Sequence, residues 1–144
     1  MESRSKVLIT GSYGFTGGYL TEYLISSGYQ PIALKSNLMN IDRLLIEVQK
    51  VQPDYVIHLA AQAGVRYSID NPHAYAESNL VGHLHILEGC RQHKVKHLVY
   101  ASSSSVYGLN SKTPFSTSDS VDHPISLYAA TKKSNELMSH TYSH

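Results

Sequence analysis

Apolar and polar positions recur along the chain with two distinct periods. Lys6–Thr10 (KVLIT) is a short β-branched run that stops at Gly11, and Phe15, Tyr19, Tyr23 and Leu24 then fall at helical spacing within Phe15–Ser27. A strand, a glycine turn and a helix are predicted in that order. Gly28 ends the helix, and Gln30–Leu34 (QPIAL) predicts a second strand with Pro31 at its start, where a missing N–H costs least. Asn40–Gln52 carries Ile41, Leu44, Leu45, Val48 and Val51, with Asn40 as N-cap and Pro53 as stop, and predicts a second helix. Asp54–Ala60 (DYVIHLA) is almost continuously apolar, the pattern of a parallel strand in the middle of a sheet.

Ala74–His93 has an apolar stripe through Leu80, Leu84, Leu87 and Cys90 and predicts a third long helix, and His97–Ala101 (HLVYA) predicts a further buried strand. Residues 102–124 are rich in Ser, Asp and Pro and read as a long loop. Ser126 then caps a last helix through about His140. The order βαβαβαβα predicts an α/β fold, a doubly wound parallel sheet of Rossmann-like type with right-handed crossovers. A strand order of 2-1-4-5 type leaves Leu98–Tyr100 at an exposed sheet edge, and something outside these residues is expected to cover it.

The 144 residues are 42% hydrophobic and 16% charged, which fits one globular core and excludes a disordered segment. Twelve Lys and Arg stand against eleven Asp and Glu, a formal charge of +1, so no nucleic acid or acidic membrane is expected as a partner. The longest apolar stretches, such as Tyr55–Ala61, contain His58 and fall far short of the roughly 20 residues that cross a bilayer. Met1–Lys6 runs straight into the first strand without an apolar signal region, so a cytoplasmic location is expected. Cys90 is the sole cysteine, which rules out an internal disulfide and Cys-based zinc sites. The nine histidines form no HExxH motif, and pairs such as His83 and His85 lie on different helix faces, so no metal site is expected.

Gly11-Ser12-Tyr13-Gly14-Phe15-Thr16-Gly17 is a GxxGxxG turn between a strand and a helix. Gly11 permits the tight turn, Gly14 lets a phosphate approach the backbone, and Gly17 lets helix and strand pack closely. The helix start, with its free N–H groups and dipole, then suits a pyrophosphate. At the end of the second strand, where an acidic residue would bond the ribose 2′-OH of NAD, Lys35 and Ser36 stand instead. A cation and a hydroxyl suit a 2′-phosphate, so the cofactor is NAD or NADP. Tyr128-Ala129-Ala130-Thr131-Lys132 sets a phenol and an ammonium on one helical face, and a nearby cation stabilises a phenolate whose ordinary pKa is about 10. Ala101-Ser102-Ser103-Ser104-Ser105-Val106-Tyr107-Gly108 follows a strand, so its hydroxyls stand at the carboxyl edge of the sheet, able to hold a sugar oxygen during proton transfer.

Five segments carry a resemblance: TGSYGFTGGYL (10–20), HLAAQAGVRYS (58–68), NLVGHLHILEGC (79–90), ASSSSVYG (101–108) and YAATK (128–132). On these the chain resembles the extended short-chain dehydrogenase/reductase family, the NAD-dependent epimerases, dehydratases and reductases of nucleotide sugars. From Val56 onward it is most similar to the UDP-glucuronate 4-epimerases of capsule and cell-wall sugar synthesis, through HLAAQAGVRYSIDNP and LVYASSSSVYG. The resemblance implies that Tyr128 is the catalytic acid/base at the sugar C4 oxygen, that Lys132 lowers its pKa and holds the nicotinamide ribose, and that Ser103 is the catalytic hydroxyl. Gly11, Gly14, Phe15, Thr16 and Gly17 would receive the pyrophosphate, and Leu59, Ala60, Ala61 and Gln62 would line the riboses. Asn79 would brace the strand ends beside the cofactor as part of its binding site, while Arg66, Ser104 and Ser105 would contact substrate.

The chain departs from the epimerase pattern where SNLMNID replaces a longer insertion carrying the acidic ribose ligand, a compactness shared with 4-keto-6-deoxy-sugar reductases. Asn37 takes the place of an Asp that commonly contacts adenine. Members of the family typically run past 300 residues, so 1–144 is expected to be the dinucleotide-binding domain, truncated before the substrate domain. An epimerase half with bound NAD, a reductase or dehydratase, and a non-catalytic cofactor-binding fragment are the alternatives. The helices at 74–93 and 126–140 pack as a dimeric four-helix bundle in the family, so a homodimer is expected.

Overall fold

A computed structural model describes residues 4–144; Met1, Glu2 and Ser3, which begin the segment read above for a leader, lie outside the described residues. The chain divides into two compact units: the part up to Ala61 together with His85–Ala101, and Gln62–Leu84 together with Ser102–His144.

The first unit holds a parallel sheet of four strands, β1 (Lys6–Thr10), β2 (Gln30–Ala33), β3 (Tyr55–His58) and β4 (His97–Tyr100), in the order β2-β1-β3-β4. Leu8 pairs with Ile32 on one side and Val56 on the other, and Val56 pairs with Leu98. The side-chain period of two sorts each strand between two faces. Leu8 and Val56 point to one face, where they join Leu44 and Val48 of α2 (Ile41–Val51) and Ile86 of α5 (Gly82–Gln92) in the larger core. Val7 and Ile9 point to the other, against Leu24 of α1 (Phe15–Ser26), with Tyr55 and Ile57 packed beside them. The sheet is therefore doubly wound, as the alternating pattern predicts, with β3 in its interior.

Local chemistry sets the element ends. Gly28 at φ +85° lets Tyr29 N–H reach back to the Leu24 carbonyl at 3.0 Å, closing α1. The Asn40 side chain accepts the Arg43 N–H at 3.0 Å and starts α2. The Ser126 hydroxyl accepts the Ala129 N–H at 3.1 Å and starts α6 (Leu127–Tyr142).

Two expectations need correction. The helix predicted from Phe15, Tyr19, Tyr23 and Leu24 forms as α1, with Phe15, Tyr19 and Tyr23 exposed and Gly17 and Leu24 buried. The residues expected in one helix over 74–93 are divided among α4 (Pro72–Tyr75), a π-helical stretch (Ala76–Val81) and α5, and Leu84 of the expected stripe is exposed. A π turn holds more residues than an α turn and so rotates everything after it, which turns His83 and Ile86 inward instead. The strand at 97–101 is only half-buried, with His97 and Val99 exposed. The periodicity also left unmarked the short α3 (Tyr67–Asp70) and a 3-10 turn at Ser104–Tyr107 within the loop.

The second unit gathers α3, α4 and the 3-10 turn around α6. No helix among the described residues is long and apolar enough to cross a membrane.

Candidate functional site

The residues singled out by sequence fall in both units. Gly11–Gly17, Lys35–Asn37 and Leu59–Ala61 belong to the first; Gln62, Arg66, Asn79, Ser103–Ser105, Tyr128 and Lys132 belong to the second.

In the first unit the glycine turn sits directly after β1 and is tied to the end of β3. The Thr10 hydroxyl accepts the Ala60 N–H at 3.0 Å and lies 2.6 Å from His58 Nδ1, so Leu59 and Ala60 are held against the turn. The glycines are demanded by space. A Cβ on Gly11, which has φ +72°, would stand 2.8 Å from the Ala60 nitrogen, and one on Gly17 would stand 2.2 Å from the Gly11 carbonyl oxygen. Gly14 occupies the N-cap of α1 and offers no capping side chain. Phe15 and Thr16 are exposed there, and no acidic residue occupies the first turn. The Ser12 hydroxyl is buried within this turn without a hydrogen-bond partner, a signal the glycine pattern does not carry. An uncapped helix start and an orphaned hydroxyl are the features an anionic phosphate would satisfy, so the turn fits a dinucleotide.

At the end of β2 the arrangement contains a residue that sequence reasoning missed. Glu47 of α2 accepts the Lys35 N–H at 2.9 Å, the Ser36 N–H at 2.8 Å and the Ser36 hydroxyl. Despite the opposing cost of burial, these donors and the Lys35 charge hold its carboxyl below the usual range. Asn37 accepts the Met39 N–H at 2.9 Å, and a cavity of about 830 Å³ lined by Lys35, Ser36, Asn37, Asn40 and Arg43 opens beside it. Twelve residues separate Glu47 from Lys35, which is why no local pattern revealed the link.

In the second unit a buried network anchors α6. Asn79 accepts the Gln62 N–H at 2.8 Å and donates its amide to the Gln62 carbonyl at 3.0 Å and to the Thr131 hydroxyl at 3.1 Å. Asn135 donates to the Asn79 carbonyl at 2.7 Å. These bonds fix the helix that carries Tyr128, whose ring meets Tyr75 edge-on at 6.1 Å. The Tyr75 hydroxyl lies 2.8 Å from the Ala63 carbonyl and holds the segment after Gln62. Lys132 is 6% exposed, and burial lowers its ammonium pKa. His83, also buried, sits 2.9 Å from the Ser139 hydroxyl.

Ser103 begins the 3-10 turn, its hydroxyl accepting from the Ser105 N–H at 3.2 Å and from the Ser105 hydroxyl at 2.9 Å. Ser104 is exposed, Ser102 donates to Glu136 of α6, and Arg66 is exposed just before α3. Among the described residues no group of three or more His, Cys, Asp and Glu side chains could hold a metal ion.

A parallel sheet wound on both faces, with a close-packed glycine turn between β1 and α1, makes this a Rossmann-like α/β protein. The chain belongs to the NAD dependent epimerase/dehydratase family, whose sequence model matches residues 7–144. It is 49% identical over 166 positions to Protein CapI of Staphylococcus aureus, covering 96% of this chain and 50% of that protein. It is 41% identical over 167 positions to a probable UDP-glucuronate 4-epimerase of Rhizobium meliloti, covering 96% of this chain and 49% of that one. Among solved structures, a UDP-glucose 4-epimerase from Brucella ovis in complex with NAD superposes with a TM-score of 0.92 at 28% identity, covering 96% of this chain and 48% of that one. The chain thus spans about half the length of the relatives it matches. An alignment of 166 positions exceeds the 144 residues present, so the Staphylococcus relative also carries residues that this chain lacks within the matched stretch.

Proposed function

We propose that the chain is the cofactor-binding and proton-transfer half of a nucleotide-sugar 4-epimerase acting on UDP-glucuronate or a close relative. Gly11, Gly14, Phe15, Thr16 and Gly17 hold the pyrophosphate of NAD, with the Ser12 hydroxyl donating to it. Leu59, Ala60, Ala61 and Gln62 line the riboses. NAD is favoured over NADP because the Ser36 hydroxyl and two backbone N–H groups at the end of β2 already serve the Glu47 carboxylate. The bound nicotinamide would accept and return the C4 hydride. Tyr128 as phenolate takes the proton from the C4 hydroxyl as that carbon is oxidised, and returns it to the keto oxygen when the hydride is delivered to the opposite face. Lys132 stabilises the phenolate, Ser103 steadies the C4 oxygen, and Arg66, Ser104 and Ser105 contact the sugar.

The observation that carries this reading is Lys132, an ammonium held 6% exposed one helical turn from Tyr128 in a helix pinned by Asn79. A Lys on an ordinary solvated helix has no reason to give up its hydration. A second reading, a 4-keto-6-deoxy nucleotide-sugar reductase or dehydratase using the same residues, is favoured by the short connection from β2 to α2. The homodimer, cytoplasmic location and place in polysaccharide synthesis follow from the same family reading. The test is Tyr128→Phe in the complete enzyme. Turnover should fall by roughly 10² to 10⁴-fold while NAD binding, measured by titration, stays unchanged. Full activity in that variant overturns the assignment.

A further inference from the structure

The connection between β2 and α2 turns its hydrogen-bond acceptors inward. The Asn37 side-chain oxygen accepts the Met39 N–H at 2.9 Å, and the Asn37 main-chain carbonyl accepts the Asn40 N–H at 3.0 Å. His85 of α5 sets its Nδ1 2.5 Å from the Leu38 carbonyl; a carbonyl can only accept, so that nitrogen carries the proton. The Asn40 side-chain oxygen caps α2 through the Arg43 N–H at 3.0 Å, and the Asn40 carbonyl accepts the Leu44 N–H at 3.0 Å. A side-chain amide has one oxygen and two N–H donors, and a backbone N–H can be met only by the oxygen. In both asparagines the oxygen therefore faces the chain, and the NH2 group is left to serve a ligand.

Asn37 and Asn40 both line the cavity of about 830 Å³ at the end of β2. Lys35 and Arg43 add cationic donors to its wall, and Asp42, in the first turn of α2, is the one carboxylate among the lining residues. A dinucleotide with its pyrophosphate on the Gly11–Gly17 turn extends its adenosine end to the end of the second strand. An unengaged asparagine reads adenine with both halves of its amide, the oxygen accepting from the 6-amino group and the nitrogen donating to N7. With the oxygen engaged, only the donating half remains. It suits N7, which adenine and 6-oxo purines share, and a 6-oxo group, but it has nothing to offer a 6-amino group.

We propose that Asn37 and Asn40 read the purine base of the dinucleotide as hydrogen-bond donors, so that the site takes a hypoxanthine base at least as well as adenine. The inference rests on the dinucleotide reading above and adds to it the edge of the base that the chain recognises.

The test is parallel calorimetric titration of the full chain with NAD and with nicotinamide hypoxanthine dinucleotide, which differs from it only in the 6-oxo base. Wild type should bind the hypoxanthine analogue as tightly as NAD within about twofold, or more tightly. In Asn37→Asp one carboxylate oxygen keeps the Met39 N–H while the other accepts from a 6-amino group and repels a 6-oxo group. The preference should then move toward NAD by roughly fivefold or more. Asn37 is exposed and Asp preserves the turn, so the melting temperature should be unchanged. Asp42→Asn, which alters the charge seen by both dinucleotides alike, should leave the preference where it was. A wild type that binds NAD more than about twofold more tightly than the analogue, a preference unmoved by Asn37→Asp, or one moved by Asp42→Asn would overturn the proposal. Failure of both dinucleotides to bind would overturn the cofactor reading along with it.

Discussion

The side-chain amide of Asn79 donates to the Thr131 hydroxyl at 3.1 Å, and both residues are almost wholly buried. The same Asn79 clasps both backbone groups of Gln62, so one side chain joins the segment after β3 to the helix of Tyr128 and Lys132. Replacing it by Ala strands the Gln62 N–H and carbonyl in a part-buried setting and removes the Thr131 contact. Asn79→Ala is expected to cost roughly 2–4 kcal/mol, read as a lower urea midpoint with an unchanged slope. Asn79→Asp keeps the acceptor for the Gln62 N–H but sets a carboxylate against the Gln62 carbonyl, so it should be no better than Ala at neutral pH.

Neighbouring glycines in α1 have opposite tolerances. A Cβ on Gly17 would lie 2.2 Å from the Gly11 carbonyl oxygen and 2.7 Å from the Ser12 Cα, backbone atoms that cannot yield without moving the whole turn. On Gly18 the nearest atom is the Ser12 carbonyl oxygen at 3.8 Å, an ordinary contact. Gly17→Ala should therefore destabilise by roughly 2–4 kcal/mol and abolish NAD binding. Gly18→Ala should keep NAD binding and gain up to about 1 kcal/mol from helix propensity. Thermal melts and dinucleotide titrations on the two variants check both halves.

How far the sequence spoke depended on whether its signals were local. The β1–turn–α1 unit was legible because the KVLIT run, the glycines and the helical spacing adjoin one another, and the parallel order followed from alternating elements. Periodicity finds an apolar stripe but cannot say what covers it: the spacing of Phe15, Tyr19 and Tyr23 marks the helix, while their exposure to solvent is visible only in the structure. The π stretch at Ala76–Val81 leaves no mark in residue spacing, yet it rotates the helix enough to expose Leu84 and bury His83. Glu47 escaped notice because its partners lie eleven and twelve residues away across a turn, whereas the YxxxK pair lies within one helical turn.

Glu47 also bears on the choice of cofactor. In folds of this kind the ribose 2′ position is read at the end of the second strand, and a phosphate there would face a carboxylate that stays ionised. Glu47→Gln keeps one acceptor oxygen, for either the Lys35 or the Ser36 N–H, and removes the charge, leaving Lys35 and Arg43 opposed only by Asp42 among the charged residues that line the cavity. The affinity ratio of NADP to NAD should rise by roughly fivefold or more. Parallel equilibrium titrations of wild type and variant read it directly, and an unchanged ratio would remove Glu47 from cofactor selection.

Acid should weaken the fold first through His83. Its ring is buried, lies against Ser139 at 2.9 Å and faces the Lys132 ammonium, so burial, and next the Lys132 charge, bring its pKa from 6.5 to about 4. The unfolded chain therefore binds a proton between pH 6.5 and 4 that the folded chain refuses, and stability must rise with pH across that interval. The His83 contribution is fully present above about pH 6.5, and roughly 2–3 kcal/mol is lost by pH 4. Glu47, Asp54 and Asp119 have lowered folded pKa values, so their contributions disappear only as pH falls through the carboxylate range. Urea titrations at half-unit intervals should show a decline beginning near pH 6.5 in the wild type. In His83→Gln, less stable at neutral pH but lacking the imidazole, the decline should begin only near pH 5.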